Sequence, residues 1–383
     1  MSLHFHRLSI KEIKKETADC VSVLFDVPEK LKEDFQFSPG QSLTLRTSIN
    51  GEDVRRSYSI CSSPQENQLK VAIKKVEGGL FSGYANEQLK KGDILDVMSP
   101  AGRFNTPLHP EHKKNYLAFA AGSGITPVIS LIKTTLATEK HSRFTLVYGN
   151  RTRSSIIFFE ELEALKNQYM NRFSLVHILS RERMDTGLNF GRISKEKLKE
   201  LDRLEDFTGT DEFFICGPAE MIFTVKGYLE QQGVKKKKIH FELFNTSGTQ
   251  ESGVGRQESG VGSQESGVGR QESGVGRQES GVRSQESGAG SQITVKVDGR
   301  SFDVTIPFNS GQTILDAALQ QGADLPYACK GGMCCTCKAR LLEGEVSMDV
   351  HWGLEEDEVE KGYILTCQSH PKTEKVVVDF DAK

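Results

Sequence analysis

Four of the eight cysteines of this 383-residue chain fall within nine positions, in the run CKGGMCCTC at 329–337. Cys329, Cys334 and Cys337 have the spacing C-x4-C-x2-C, and 29 residues separate Cys337 from Cys367 in YILTCQSH. Thiolates at this spacing, with a distant fourth, suit a [2Fe-2S] cluster, in which each of two irons takes two soft sulfur ligands. Gly331 and Gly332 let the loop turn tightly and aim amide N–H groups at the sulfurs. Zinc is the competing reading. Its four-ligand sites favour two short-spaced pairs, and no second pair stands near Cys367. Cys335 falls outside the ligand register and is expected to be a small buried residue beside the cluster.

Two other stretches suit phosphorylated cofactors. A flavin needs an aromatic face, a hydrogen-bond donor near N5 and cationic or amide donors for its phosphates. Arg56-Ser57-Tyr58-Ser59, in VRRSYSICSSP, supplies all three on one expected strand, where alternation puts Arg56 and Tyr58 on the same side. GGLFSGYANEQLKKGD (78–93) and PAGRF (100–104) follow it. In YLAFAAGSGITPVISL (116–131) an apolar strand runs into Gly122-x-Gly124-x-x-Pro127 and then into an apolar helix. Such a turn lets a pyrophosphate approach the backbone and sit at a helix N-terminus. Pro127 stands where the usual dinucleotide fingerprint has its last glycine.

The elements that must hold these residues divide the chain into four. Residues 1–107 alternate apolar and polar residues in short runs such as SLTLRT (42–47), which predicts an antiparallel β domain. Residues 108–247 alternate strand and helix patterns, which predicts a doubly wound α/β domain. Residues 248–292 hold six seven-residue units of the type QESGVG(R/S), the last two decayed to QESGVRS and QESGAGS, with one apolar side chain and about two glycines per copy. No coiled-coil seam can form from that pattern, so it reads as a tether spanning about 35 Å root-mean-square. Residues 293–383 open with a hairpin signal at Asp298-Gly299 and a short helix over 313–321 that Thr313 would cap, and they end in EKVVVDF.

Charge follows the same division. Residues 1–249 hold 36 Lys and Arg against 31 Asp and Glu, whereas 293–383 hold 9 against 15. A basic body and an acidic module should dock through complementary fields. The lysine run at 235–238 lacks interleaved aromatics, so a nucleic-acid partner is not expected. The N-terminus has no apolar core of a secretory signal, and no apolar run reaches membrane-span length. A cytoplasmic protein without a membrane partner is the expectation.

RSYS, GGLFS, GSGITP and CGPAEM, in this order, resemble the ferredoxin–NADP reductase superfamily over residues 1–245. The cysteine loop with distant Cys367 resembles the plant-type ferredoxins. The resemblance implies a Greek-key β-barrel binding FAD, an α/β domain binding NADPH and a β-grasp ferredoxin domain. It implies that Arg56, Ser57, Tyr58 and Ser59 hold the flavin, Tyr58 against the ring and Ser59 near N5, with Gly79 and Ser82 at its pyrophosphate. Gly122, Gly124, Thr126 and Pro127 would shape the dinucleotide site. Cys216 and Gly217 would lie near the nicotinamide, with Glu242 and Phe244 near the flavin. Cys216 has a plainer reading as a strand-end core residue. No side chain is expected to act as a general acid or base; Ser59 and Cys216 would flank the hydride transfer.

A 2′-phosphate prefers an Arg fork and a hydroxyl donor. Ser180 and Arg181, with Arg151 in YGNRTR, therefore point to NADPH, and the Ser180-Arg181-Glu182 triplet resembles NADP-specific members of the superfamily. A hydride brings two electrons while the cluster takes one, so the pair must be split at the flavin. The order reductase first, ferredoxin last resembles the reductase components of oxygenases. The doubled cysteine and the triplet resemble most the reductase components serving di-iron phenylacetyl-CoA epoxidases. A reductase for another aromatic oxygenase using NADH, and a non-enzymatic iron–sulfur scaffold, are the alternatives.

Overall fold

Short runs of alternating apolar residues build an antiparallel barrel in the computed structural model of the chain, which describes residues 4–183, 186–244, 290–308 and 310–382. The expected tether therefore lies almost wholly outside the described residues. The barrel strands are β1 (Phe5–Thr17), β2 (Cys20–Asp26), β3 (Ser42–Ile49), β4 (Glu52–Ser59), β5 (Leu69–Lys74) and β6 (Ile94–Met98). Their order is β4-β3-β6-β1-β2-β5, and an antiparallel Ile60–Val71 bridge just past the end of β4 closes the ring. β3, β4 and β5 thus run side by side while β6 returns beside β3, which is a Greek-key connection. Leu8, Leu43, Leu45, Val71 and Val97 fill the interior, together with Phe81 of helix α1 (Leu80–Glu87).

The central domain is a parallel sheet of β7 (Asn115–Ala121), β8 (Arg143–Asn150), β9 (Phe173–Leu179), β10 (Glu212–Gly217) and β11 (Ile239–Leu243), in the order β11-β10-β7-β8-β9. Strands as uniformly apolar as β7 suit a sheet covered on both faces. Helices α2 (Ile125–Thr138) and α3 (Phe159–Gln168) cover one face, and α4 (Lys195–Glu205) and α5 (Ala219–Gln231) the other. The strand order reverses between β7 and β10, which opens a crevice outside their carboxyl ends. The core under α2 also takes Cys20, Cys61 and Ala72 from the barrel. Ser130 donates to the Ser62 carbonyl at 2.6 Å, and buried Lys133 is paired with Glu66 and Glu161. Barrel and central domain are thus fastened by a continuous core.

The C-terminal domain starts with the hairpin β12 (Gly290–Val297) and β13 (Arg300–Pro307). Asp298 and Gly299 turn it with φ of 50° and 70°, as a two-residue loop of the twist-matched type requires. Helix α6 (Ile314–Gln320) is capped as expected, Thr313 accepting from the Asp316 amide. β14 (Lys338–Glu343), β15 (Val346–Met348), helix α7 (Glu356–Glu360), β16 (Tyr363–Leu365), β17 (Ser369–Pro371) and β18 (Lys375–Asp379) complete it. The main sheet has the order β13-β12-β18-β14-β16, with α6 packed on the core of Ile293, Val295, Val376 and Val378.

The acidic domain meets the basic body through opposite charges. Arg55 pairs with Asp324 at 3.3 Å, Arg103 with Glu358 at 2.7 Å and Lys236 of the lysine run with Glu356 at 3.1 Å. Phe223 of α5 meets Trp352 edge-on, with ring centres 6.0 Å apart. Among the described residues no helix is long and apolar enough to cross a membrane.

Candidate functional site

The cysteine loop gathers two pairs of sulfurs. The Cys334 thiol hydrogen-bonds Cys329 and, with the Gly331, Cys334 and Met333 amides, pushes it down to about 6 against the opposing effect of burial. Cys337 does the same for Cys367, which is lowered, while Cys334 and Cys337 are raised. Gly331 and Cys334 amides lie 3.4 Å from the Cys329 sulfur. Gly332 has a φ of 69°, and a Cβ there would stand 2.5 Å from Val350, so only glycine fits. Among the described residues no three His, Cys, Asp or Glu side chains converge as ligands of one ion. Two thiol pairs and inward amides fit a two-iron cluster, in which each iron takes two thiolates, better than a single tetrahedral metal. Cys335 is half-buried rather than fully buried as expected; partial withdrawal from solvent raises its thiol, and the charges near it are Lys338, Glu358 and Arg103.

The loop opens into a cavity of about 640 Å³. Cys329, Cys334 and Met333 line one side; Arg56, Ser57, Tyr58 and Ser59 of β4 line another. Tyr58 leans on Phe81 with ring centres 5.6 Å apart. The N-terminus of α1 enters the same space with Gly78, Gly79 and Ser82, a position suited to a phosphate. The Ser82 hydroxyl accepts from the Val76 amide at 3.1 Å and donates to the Gly79 carbonyl at 3.2 Å, so it shapes the turn. Ser59 donates to Glu242 at 3.2 Å. Withdrawal from solvent pushes the Glu242 carboxyl up to about 7, and the Ser59 bond only partly opposes it. Phe244, at the end of the central domain, joins the wall.

Ser123 and Thr126 reach that cavity from the turn between β7 and α2. Gly122 has a φ of 54°, and its carbonyl accepts from the Tyr148 hydroxyl at 2.8 Å. A Cβ on Gly124 would lie 2.1 Å from the Cys216 carbonyl oxygen, so this glycine lets α2 start against the end of β10. Pro127 falls in the first turn of α2, where its missing N–H leaves no helical bond unmade. Cys216 is fully buried in the core below, beside Glu242, and Gly217 ends its strand. Arg151, Ser180 and Arg181 do not line the cavity. They cluster where β8 and β9 end: the Ser180 amide donates to the Asn150 carbonyl at 2.9 Å and the Arg181 amide to the Arg151 carbonyl at 2.8 Å. A nucleotide lying over the sheet ends from β10 toward β9 would span from one group to the other.

Sequence reasoning passed over two cations. Lys74 lines the cavity opposite Gly122 and pairs with Asp19 at 3.6 Å. Arg55, buried at 6% exposure, turns from β4 toward residues 324–327. The Arg55-Arg56 doublet was the only local sign of it.

Comparison with known proteins matches the three domains. Residues 7–106 match an oxidoreductase FAD-binding domain, 119–227 an oxidoreductase NAD-binding domain and 295–372 a 2Fe-2S iron-sulfur cluster binding domain. The chain is 45% identical to a component of the 1,2-phenylacetyl-CoA epoxidase of Escherichia coli (strain K12), over 99% of this chain and 98% of the relative. It is 34% identical to the ferredoxin reductase component of 3-ketosteroid-9-alpha-monooxygenase of Rhodococcus rhodochrous, over 97% and 96%. Phthalate dioxygenase reductase shares the fold, with a TM-score of 0.53 and 23% identity over 98% of each chain. The chain belongs to the family of NAD(P)H-dependent oxidoreductases that carry FAD-binding, NAD-binding and 2Fe-2S domains and form the reductase components of oxygenases.

Proposed function

We propose that the chain draws electrons from NADPH and delivers them singly to an oxygenase that epoxidises phenylacetyl-CoA. The observation that carries the route is the shared cavity, in which β4, the N-terminus of α1 and the cysteine loop face one space. Bound there, FAD would supply the change from two-electron hydride acceptance to one-electron release, and a [2Fe-2S] cluster held by the cysteine loop would supply a one-electron acceptor. Arg56, Ser57, Tyr58 and Ser59 hold the flavin, with the α1 N-terminus around Gly79 and Ser82 at its pyrophosphate. Gly122, Gly124, Thr126 and Pro127 seat the dinucleotide beside Cys216 and Gly217. Arg151, Ser180 and Arg181 take the 2′-phosphate, and Cys329, Cys334, Cys337 and Cys367 hold the cluster. The docking contacts keep the loop against the flavin wall.

The acceptor rests on the 45% identity to the epoxidase component. The test mixes the purified chain with the oxygenase components of a phenylacetyl-CoA epoxidase and follows loss of phenylacetyl-CoA with NADPH. Turnover is expected only when both are present. No turnover, while the chain still reduces cytochrome c with NADPH, would move the acceptor to another oxygenase. The 34%-identical 3-ketosteroid monooxygenase reductase favours that second reading. No NADPH oxidation with flavin bound would leave the scaffold reading.

A further inference from the structure

Arg55 lies next to Arg56 on β4 and lines the shared cavity with it, and only 6% of its side chain is exposed. A buried guanidinium must find acceptors for a fork of donors and a partner for its charge. Part of this comes from its own strand: Asp53 Oδ2 accepts from Nε at 3.1 Å and from Nη2 at 2.9 Å. The rest comes from the C-terminal domain. Nη2 donates to Asp324 Oδ1 at 3.3 Å and Nη1 to the Leu325 carbonyl at 3.3 Å, while the guanidinium stands 4.5 Å from the Tyr327 ring centre. Tyr327 and Ala328 lead straight into Cys329, and all three line the shared cavity. Arg103 and Lys236, which also bridge the domains, are 56% and 70% exposed, where ion pairs add little.

We propose that Arg55 is a positioning residue for electron transfer between the two redox centres, clasping the cluster loop to the flavin wall through Asp324, Leu325 and Tyr327. This rests on the function proposed above. For each NADPH oxidised, two electrons cross the gap singly, each reduces one oxidised cluster, and one proton is released to solvent. The crossing rate falls steeply with separation, so the clasp acts on this step. The guanidinium is planar, forked and stacked, so lysine is not an equivalent replacement.

The test is anaerobic stopped-flow mixing of the full-length holoenzyme with NADPH, reading flavin bleaching and cluster reduction separately, with small-angle scattering of the same samples. In Arg55→Gln, cluster reduction should slow about tenfold, as it would if the clasped fraction fell from near one to about one tenth. Asp324→Asn should slow it less and leave flavin bleaching within about twofold. Arg55→Lys should not restore the rate. The radius of gyration should rise in Arg55→Gln, while the electron paramagnetic resonance signal and potential of the cluster stay unchanged. Should Arg55→Gln fail to fold, Asp324→Asn decides, since that carboxylate is 81% exposed. Cluster reduction and scattering unchanged in the folded variants would overturn the proposal, as would full rescue by lysine. Failure of the underlying function reads differently: the unmodified protein would then show no cluster reduction by NADPH.

Discussion

Cys335 and Cys367 show how spacing and environment separate ligands from bystanders. Cys335 has nearer cysteine neighbours in sequence than Cys367 has, yet its surroundings are Lys338, Glu358 and Arg103, whereas Cys367 meets the Cys337 thiol. Cys335→Ala should keep the visible absorption of the cluster, and Cys367→Ala should lose it; a colourless Cys335→Ala would break the register argument. Cys329, Cys334, Cys337 and the Arg56–Ser59 strand were legible because short-range spacing encodes them, and Cys367 because that spacing calls for a distant fourth cysteine. The role of Arg55 was not, because Asp324 lies 269 residues away and only folding brings the two together. Glu242 yields a pH prediction. Its folded value of about 7 lies above its ordinary 4.5. The native state therefore binds the proton more tightly than the unfolded chain, and its stability falls as pH rises from about 4.5 to 7 and levels off above. Glu242→Gln should remove that fall. It should gain roughly 1–2 kcal/mol at pH 8, discounted because the cavity is open to solvent, and nothing near pH 4. Urea unfolding at a series of pH values checks it; a gain independent of pH would contradict the assignment.

At the scale of elements, strand-to-helix turns place most of the site. The β7–α2 turn was readable because the apolar strand, Gly122, Gly124 and the apolar helix are contiguous in sequence. Helix α1 was legible only as a glycine-bearing stretch: it is eight residues long, with a glycine inside it, and tertiary packing of Phe81 and Ala85 fixes it rather than propensity. Arg151, Ser180 and Arg181 belong to two separate turns that parallel pairing of β8 and β9 brings side by side. This pairing argues for a 2′-phosphate site. Arg181→Ala should lower kcat/KM for NADPH by about 10- to 100-fold, the weight of a charge-assisted hydrogen bond, and leave NADH turnover nearly unchanged. Equal losses with both nucleotides in steady-state assays would remove the argument for NADPH.

For the whole molecule, two kinds of joint matter. The barrel and central domain share buried apolar side chains around Cys61, Ala72 and α2, so they should act as one body. The C-terminal domain is joined through charge pairs, one buried guanidinium, an aromatic edge contact and Met333 packed on the central-domain core, a mainly polar joint of the sort that permits relative motion. The opposite charges of the two regions were legible from composition; which residues would pair was not, because that depends on two folded surfaces meeting. The central claim is that single electrons leave by way of the cluster. The most direct test compares NADPH-driven reduction of ferricyanide and of cytochrome c by the intact chain and by a Cys367→Ala variant with flavin bound. The account predicts that ferricyanide reduction survives in the variant while cytochrome c reduction falls at least about tenfold. Cytochrome c reduction at the intact rate without the cluster would contradict it.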